Sequence, residues 1–545
     1  PGEATIEHEY PHCWRCHEPV IYRATRQWFM NIDKVRQQAL DAIETVEWNP
    51  EWGKSRIAGM IQSRPDWCIS RQRQWGVPIP VFYCEQCGEM LLTEETIAHV
   101  RDLVADRGAD VWYEREAGDL LPEGSVCSAE GCESTSFVKE PDIMSVWVDS
   151  GCSHYCVLAS HPELSVPADL YLEGDDQYQC WFQTSLWVAL ALGQPAPYNT
   201  VVGHGFFVDE TGSKLSKSKG NIIAPSEIYE QYGADVLRLW FTYADFRQKM
   251  ALSENILGQV ADVYRRVRNT ARFLLQNLQD FNPAEDSVGP GDMMEIDRWA
   301  LDRLQRRMLA ISEAYDNWDL HIVHRDLHAL CDADLSSFYF SVLKDRLYTD
   351  VADSQARRSA QTAMWQILLA LAKVMSPILT FTSEEIWQVM REEIDPSLPE
   401  SVQLTDWPEA DESLMDNDLA ERWDSILALR SVGLAALEQA KADGVVSNPL
   451  EASLELFVSD EARGLLEGLE DELSQLFIVS SVELRGLDEY EGEIAPGTEI
   501  AAGASLAAGE KCARCWIRSE TVGHQADHPE LCERCAGRVN TILAR

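Results

Sequence analysis

The stretch that decides the fold is Asp209-Glu210-Thr211-Gly212-Ser213-Lys214-Leu215-Ser216-Lys217-Ser218-Lys219-Gly220-Asn221. Three lysines, three serines and two glycines stand within nine of its residues. Such a segment predicts a mobile loop whose ammonium groups close on phosphate oxygens as negative charge develops on them. Composition alone favours an ordinary solvated lysine turn. The order of the residues therefore has to decide between a polyphosphate site and a plain turn.

The order points to a known loop. Lys214-Leu215-Ser216-Lys217-Ser218 resembles the Lys-Met-Ser-Lys-Ser loop of class I aminoacyl-tRNA synthetases, with Leu in place of Met. Gly203-His204-Gly205 upstream and Gly220-Asn221 downstream also stand where that family has them. The resemblance implies an ATP site in an α/β Rossmann-like domain, with Mg²⁺ accompanying ATP. It also implies that Lys217, assisted by Lys214, neutralises pyrophosphate as it leaves.

A second segment of the same family is found between Asp169 and Phe182. Asp169–Gln177 predicts a strand that leads into a helix start, where a carboxylate at the end of a parallel strand points into a ligand crevice. The family sequence is Glu-Gly-Ser-Asp-Gln-His-Arg-Gly-Trp-Phe, and the resemblance implies that Glu173 contacts the aminoacyl-adenylate. The same resemblance implies that the adenosine and the amino acid are lined by Gly174, Asp176 and Gln177.

The match in this segment is incomplete. The chain departs from the family at Asp175, Tyr178, Gln179 and Cys180, so a histidine and an arginine that would stand near the substrates are missing. Asp175 and Asp176 also fit a simpler interpretation, in which they only cap a helix. The preceding segment Val146–His154 predicts another strand followed by a turn.

Eight of the fifteen cysteines form two groups of four. Two short-spaced pairs of thiolates fit tetrahedral zinc, and with no general base beside them we expect both metals to be structural. For the first group, the alternative to a zinc site is four free cysteines. The second group has 16 residues between its two pairs, which matches the spacing of a zinc ribbon. Cys13 and Cys16 also have ligand spacing, but they lack a second pair and packing is favoured. The predicted ligands are Cys84, Cys87, Cys127 and Cys132 in the first group and Cys512, Cys515, Cys532 and Cys535 in the second.

The charge of the chain conflicts with RNA binding. Its 46 basic and 90 acidic side chains give a formal net charge of −44, the wrong sign for a protein that binds a polyanion. Our hypothesis is adaptation to high internal salt, in which screening is strong and a carboxylate-rich surface stays hydrated. Activity measured against KCl concentration tests it, and an optimum at low salt would exclude it.

Helical periodicity dominates the middle of the chain. Residues 256–278 predict an amphipathic helix whose arginines either contact RNA or form a solvated face. We further predict a helix over Thr93–Asp106, another over Leu327–Tyr348, a short strand over Val20–Thr25, a capping box at Thr382-x-x-Glu385 and a linker over Ala501–Gly509. The arginines of the amphipathic helix are Arg265, Arg266, Arg268 and Arg272.

These features predict a multidomain chain that resembles isoleucyl-tRNA synthetases over nearly its whole length. The sequence has no His-Ile-Gly-His type motif and no editing domain, and it starts at Pro1. We therefore expect the C-terminal portion of a monomeric, cytosolic enzyme that needs its N-terminal half to act.

The resemblance implies isoleucine, ATP and tRNA(Ile) as partners. The alternatives are a non-catalytic tRNA-binding protein and a valyl-tRNA synthetase. The predicted domains are an incomplete α/β catalytic part at 1–253 with a zinc insertion at 84–132, an all-α anticodon-binding bundle at 254–408, an acidic α+β region at 409–503 and a zinc module at 504–545.

Overall fold

The chain divides into two units, Pro1–Phe206 and Phe207–Arg545, each with its own hydrophobic core. The structure, a computed structural model, describes residues 8–13, 16–215, 223–492 and 498–544. Within these ranges no helix is long and apolar enough to cross a lipid bilayer.

The first unit is built on a parallel three-stranded sheet. The central strand, Tyr198–His204, pairs with Glu47–Asn49 on one side and with Ala168–Gly174 on the other. The register sets Gly203 opposite Glu173 and His204 opposite Gly174, so two strands end together at one edge. Apolar side chains of the neighbouring helices share a core with the sheet, and those helices are Arg36–Glu44, Trp52–Gln62 and Trp181–Ala191.

The insertion predicted at 84–132 belongs to a small subdomain with a separate core around Phe82, Trp112 and Leu120. Its antiparallel sheet has the strand order Met90–Leu91, Phe82–Cys84, Phe137–Lys139. The predicted helix is confirmed as Glu94–Arg107, and Thr93 begins it by accepting a hydrogen bond from the backbone N–H of Thr96. Shorter strand pairs elsewhere in the unit are Phe29–Met30 with Trp67–Cys68 and Ser70–Arg71 with Ile143–Met144.

Two strand predictions in this unit are wrong. Val20–Thr25 forms no strand, and Val146–His154 is helical as Val146–Gly151 and Ser153–Cys156. The β-branched and aromatic residues Val146, Trp147 and Val148 favour a strand, but Ser145 accepts a hydrogen bond from the N–H of Trp147 and starts a helix instead. That helix packs closely on its neighbour, since a Cβ at Gly151 would lie 2.8 Å from the carbonyl oxygen of Thr184.

The second unit is mainly a helical bundle, as the apolar periodicity predicted. The predicted helix over Leu327–Tyr348 is continuous but changes its pitch, because Leu330–Tyr339 forms π-helical turns between Leu320–Ala329 and Phe340–Thr349. The hydroxyl of Thr270 donates to the carbonyl of Cys331 at 3.2 Å within this widened stretch. The other long helices are Pro225–Tyr232, Ala234–Trp240, Glu254–Gln276, Glu295–Asp316, Gln355–Met375, Thr380–Glu393 and Asn417–Ala442.

Two further predictions in this unit are wrong. Thr382 is no helix cap, because the helix begins at Thr380 and Thr382 donates its backbone N–H and its hydroxyl to the buried carboxylate of Asp235. The predicted linker contains the strand Ile500–Leu506, which pairs antiparallel with Ala452–Val458. Small alanines and glycines are typical of a flexible linker, but here they belong to a strand that lies close against the long helix Asn417–Ala442.

The chain ends in a four-cysteine module. It follows a sheet with the strand order Ser481–Gly486, Ala452–Val458, Ile500–Leu506. The module itself consists of a short hairpin, Glu510–Lys511 with Arg518–Ser519, and the helix Glu533–Leu543. Its buried residues are chiefly the four cysteines, so it has little apolar core of its own.

Candidate nucleotide and metal sites

Predicted site residues meet at the carboxyl edge of the parallel sheet. A Cβ at Gly174 would lie 2.9 Å from Oδ1 of Asp176 and 3.4 Å from Cε1 of His204, so both side chains converge on the glycine. His204 donates from Nδ1 to the carbonyl oxygen of Gly205 at 2.9 Å, which fixes the orientation of its ring. Glycine at position 174 therefore leaves the space into which the side chains of Asp176 and His204 fit.

Gln177 and Glu173 belong to the same edge. The amide nitrogen of Gln177 donates to Asp176 at 3.3 Å, and its amide oxygen accepts from the backbone N–H of Trp181 at 3.2 Å. Gln177 thus ties Asp176 to the start of the helix Trp181–Ala191. The side chain of Glu173 is exposed at the end of its strand. The four residues of the first unit that we predicted to contact the adenylate therefore lie within five positions of the chain, at one edge of the sheet.

Arg56 is a member of this edge that we did not predict from the sequence. Its guanidinium lies 3.7 Å from a carboxylate oxygen of Asp175 and 5.3 Å from the ring centre of Tyr178. Burial raises the pKa of the Asp175 carboxyl, while the charge of Arg56 opposes that shift. Arg56 lies on the helix Trp52–Gln62, which carries no recognisable sequence motif. Its contact with Asp175 is therefore visible only in the tertiary structure.

Tyr178 faces the core. It is fully buried among aromatic rings, 5.6 Å from Trp52 and 5.3 Å from Phe182 between ring centres. A Cβ at Gly53 would meet its hydroxyl oxygen at 2.2 Å, and a Cβ at Gly203 would meet it at 2.7 Å. Two glycines thus form a slot for the hydroxyl, and burial raises the pKa of Tyr178 to about 12.

The lysine loop is described only at its first part, in the second unit. Lys214 pairs with Val208 in an antiparallel bridge, and Asp209 closes the turn by accepting from the N–H groups of Thr211 and Ser213 at 2.9 and 3.0 Å. Gly212 has a φ of 77°, which suits the tight turn. Lys217, with the rest of residues 216–222, lies outside the described residues.

The first cysteine group has the geometry of a four-thiolate metal site. Within the described residues, the four sulfurs of Cys84, Cys87, Cys127 and Cys132 all lie within 4.8 Å of one another. Two of the sulfur separations are 3.8 and 3.4 Å. Zn–S bonds of about 2.3 Å in a tetrahedron set the sulfurs about 3.8 Å apart, so the residues fit zinc. The N–H of Cys87 lowers the pKa of Cys84 to about 6, which favours the ligating thiolate.

The second group also fits zinc. The sulfurs of Cys512, Cys515, Cys532 and Cys535 lie within 4.8 Å of one another, and those of Cys515 and Cys532 are 3.8 Å apart. The backbone N–H of Cys532 donates to the sulfur of Cys512 at 3.3 Å. A hydrogen bond from Cys535, with a smaller effect of Arg534, lowers the pKa of Cys515 to about 5. The thiolate form is therefore favoured at Cys515, whereas burial raises the pKa of Cys532.

The arginines of the helix Glu254–Gln276 mostly engage carboxylates. Arg265 pairs with Asp262, Arg266 with Asp332, and Arg268 with Glu385 through two bonds of 2.8 Å. Their charges are therefore locally balanced on the protein surface. Arg272 is exposed on the same helix. The predicted RNA contact at this face stays a prediction.

Three known protein families match successive parts of the chain. Residues 5–253 match the family described as tRNA synthetases class I (I, L, M and V). Residues 297–456 match the anticodon-binding domain of tRNA ligase, and residues 509–537 match the zinc finger found in FPG and IleRS. The sheet edge described above thus belongs to a class I tRNA synthetase domain, followed in this chain by an anticodon-binding domain and a zinc finger.

Two proteins with similar sequences indicate which class I synthetase family the chain resembles. Isoleucine–tRNA ligase of Moorella thermoacetica is 49% identical over 539 residues, which are 97% of this chain and 57% of that protein. Isoleucine–tRNA ligase of Caldanaerobacter subterraneus subsp. tengcongensis is 47% identical over 545 residues, 99% of this chain and 58% of that protein. The chain belongs to the isoleucyl-tRNA synthetase family, and it spans less than three-fifths of the length of these relatives.

Solved structures share the fold at low sequence identity. Mycobacterium tuberculosis methionyl-tRNA synthetase, solved with methionyl-adenylate, is 18% identical and superposes with a TM-score of 0.50 over 72% of each chain. The similarity supports a class I synthetase architecture and no finer detail.

Proposed function

We propose that this chain forms the part of an isoleucine–tRNA ligase that carries the lysine loop and the tRNA-binding domains. The reaction has two steps. A carboxylate oxygen of isoleucine attacks the α-phosphorus of ATP, and the bond to the β-phosphate breaks to release pyrophosphate. A terminal ribose hydroxyl of tRNA(Ile) then attacks the acyl carbon and displaces AMP. Mg²⁺ would accompany ATP as its counter-ion.

One observation supports this function above all others. The register that sets Glu173-Gly174 opposite Gly203-His204 gathers polar groups at the carboxyl ends of two parallel strands, which is where open α/β sheets bind their ligands. We propose that Glu173, Gly174, Asp176 and Gln177 contact the aminoacyl-adenylate. Tyr178 belongs to the same segment, but its side chain is buried in the core and is not available to a ligand at this edge.

The lysines take the charge-stabilising role. We propose that Lys217, assisted by Lys214, binds the phosphate oxygens as pyrophosphate departs, when their negative charge is greatest. Removing one preorganised donor of this kind typically costs about 3 kcal/mol of transition-state stabilisation, roughly a hundredfold in rate. The hairpin closed by Asp209 would hold the start of the loop during this step.

The remaining parts would serve tRNA binding and stability. We propose that the helical bundle binds the anticodon region of the tRNA and that the domain boundaries follow 253, 408 and 503. The C-terminal cysteines would hold zinc, which supplies the fold of a module with almost no apolar core. The cysteines of the insertion would hold a second structural zinc.

The test is isoleucine-dependent exchange between pyrophosphate and ATP, measured on this chain joined to an N-terminal portion from a similar isoleucine–tRNA ligase. We expect Lys217→Ala to lower the exchange rate about a hundredfold with little change in ATP affinity. Lys249→Ala, which removes an exposed lysine outside the loop, is the matched control and should leave the rate unchanged. An unaltered rate in Lys217→Ala would refute the role of the loop.

The same assay separates the two alternatives. A non-catalytic tRNA-binding protein, which the departures at Tyr178, Gln179 and Cys180 permit but the retention of Lys214 and Lys217 argues against, would show no exchange with any amino acid. A valyl-tRNA synthetase would exchange with valine in preference to isoleucine. The 49% identity with an isoleucine–tRNA ligase leads us to expect isoleucine.

A further inference from the structure

The cysteine module is attached to the helical bundle through arginines that stand between its metal ligands. Each pair of cysteines encloses one arginine, Arg514 in Cys512–Cys515 and Arg534 in Cys532–Cys535. Arg534 donates from both terminal nitrogens to the carboxylate of Asp345, each at 2.7 Å. Arg514 donates to the carbonyl oxygen of Thr349 at 3.2 Å. Both knuckles therefore reach the same helix, Phe340–Thr349.

Arg538 adds a third attachment to this helix. It donates to the hydroxyl of Thr349 at 2.7 Å and pairs with Asp350 at 3.1 Å. A cavity of about 380 Å³, bordered by residues such as Tyr348, Ile478 and Trp516, occupies part of the junction. Apolar side chains leave this part of the junction unfilled, whereas the arginine contacts join the module to the helix directly.

Arg534 stands between two predicted metal ligands and is held from outside the module. Its Nε is buried without a hydrogen-bond partner among the described residues, while its two terminal nitrogens are committed to Asp345. Because Cys532 and Cys535 lie two residues before and one residue after Arg534, holding its guanidinium also restrains the backbone of the knuckle that carries both cysteines.

The Asp345 end of this chain of contacts is itself rigid. The next residue, Arg346, points inward and is buried in a bidentate ion pair with Asp297. Adjacent residues of one helix thus face opposite ways, Arg346 toward the bundle core and Asp345 toward the module. The ion pair anchors the helix backbone at Arg346, so the neighbouring Asp345 is presented to the module from an anchored helix.

We propose that Asp345 is a positioning residue for the C-terminal metal, acting through Arg534 on the knuckle Cys532–Cys535, and that metal and bundle stabilise one another across this contact. The inference depends on the zinc site proposed above. Removing the carboxylate would free Arg534, and with it the backbone between Cys532 and Cys535, so zinc would leave faster. By linkage, removing zinc would loosen the helix Phe340–Thr349.

The experiment follows zinc release from the full chain to a chromophoric chelator, in a Cys84→Ser/Cys87→Ser background that leaves only the C-terminal site. We expect Asp345→Asn to release zinc at least about tenfold faster, the lower end of the usual effect of outer-shell partners. Glu385→Gln is the matched control, since Glu385 also holds an arginine, Arg268, through two 2.8 Å bonds but lies away from the module contacts. Its release rate should equal that of the background protein.

Amide hydrogen exchange gives a second measurement, because general unfolding would speed exchange in all helices and not in one helix alone. After chelation we expect faster amide exchange over Phe340–Thr349, with the helix Gln355–Met375 unchanged. Equal zinc release from Asp345→Asn and the background, or unchanged exchange over Phe340–Thr349, would overturn this inference alone. A chain that binds no zinc at these cysteines would overturn the metal proposal as well.

Discussion

Arg346 donates from both terminal nitrogens to the carboxylate of Asp297, and neither side chain is more than 4% exposed. Tyr339 donates its hydroxyl to the same carboxylate at 2.7 Å. Because the pair is fully removed from water, each charge depends on the other for its stability. The pair joins the helix Glu295–Asp316 to Phe340–Thr349.

Asp297→Asn should destabilise the second unit by about 3–5 kcal/mol, because it leaves the charge of Arg346 buried without its partner. Urea unfolding followed by circular dichroism measures the change. Glu385→Gln breaks an exposed ion pair with Arg268 and should cost less than about 1 kcal/mol. Equal losses in the two variants would contradict the assigned burial of the Asp297 pair.

Gly203→Ala should destabilise the first unit by about 1–3 kcal/mol, since the new methyl group meets the Tyr178 hydroxyl at 2.7 Å. In a Tyr178→Phe background the same change should cost less than about 1 kcal/mol, because the closest atom is gone. A double-mutant cycle based on unfolding free energies measures this coupling. Additive losses would show that the hydroxyl does not occupy the slot.

Two structural metals per chain are expected from the cysteine groups, measured by elemental analysis of the purified protein. Cys87→Ser and Cys515→Ser should each lower the content from two zinc ions to one, since three thiolates hold zinc much more weakly than four. Cys156→Ser changes an exposed cysteine outside both groups and should retain two. A content of two in either ligand variant would exclude that cysteine from coordination.

Stability of the second unit should fall in mild acid because of His324. Burial, with repulsion from His328, lowers the pKa of His324 to about 4, whereas an unfolded histidine titrates near 6.5. The unfolded chain therefore binds the extra proton first, and the stabilisation is complete above about pH 6.5 and lost as pH falls toward 4.

Between about pH 7 and pH 5 the loss from this group should be about 2 kcal/mol. The difference between wild type and His324→Asn isolates it from the many carboxylates of the chain, which act on both proteins alike. Urea unfolding at the two pH values gives the comparison. Parallel losses in the two proteins would show that His324 does not titrate in this range.

Local patterns were sufficient for much of the fold. The helices around Glu254–Gln276 and Asn417–Ala442 were predictable because their apolar spacing matches the helical period. The strand ending at Glu173 and the two cysteine groups also follow from short-range order. Val146–His154 and Ala501–Gly509 were mispredicted because a serine cap in one and strand pairing in the other outweighed local propensity.

The sequence by itself determined the family, the two groups of cysteines and the residues at the end of the Ala168–Gly174 strand, because each depends on short sequence patterns. Only the tertiary structure decided that Tyr178 fills a core slot, that Arg56 reaches Asp175, and that Asp345 holds Arg534 across 189 positions of chain. These contacts join residues far apart in sequence. Their partners are selected by packing and charge in three dimensions, which no local pattern records.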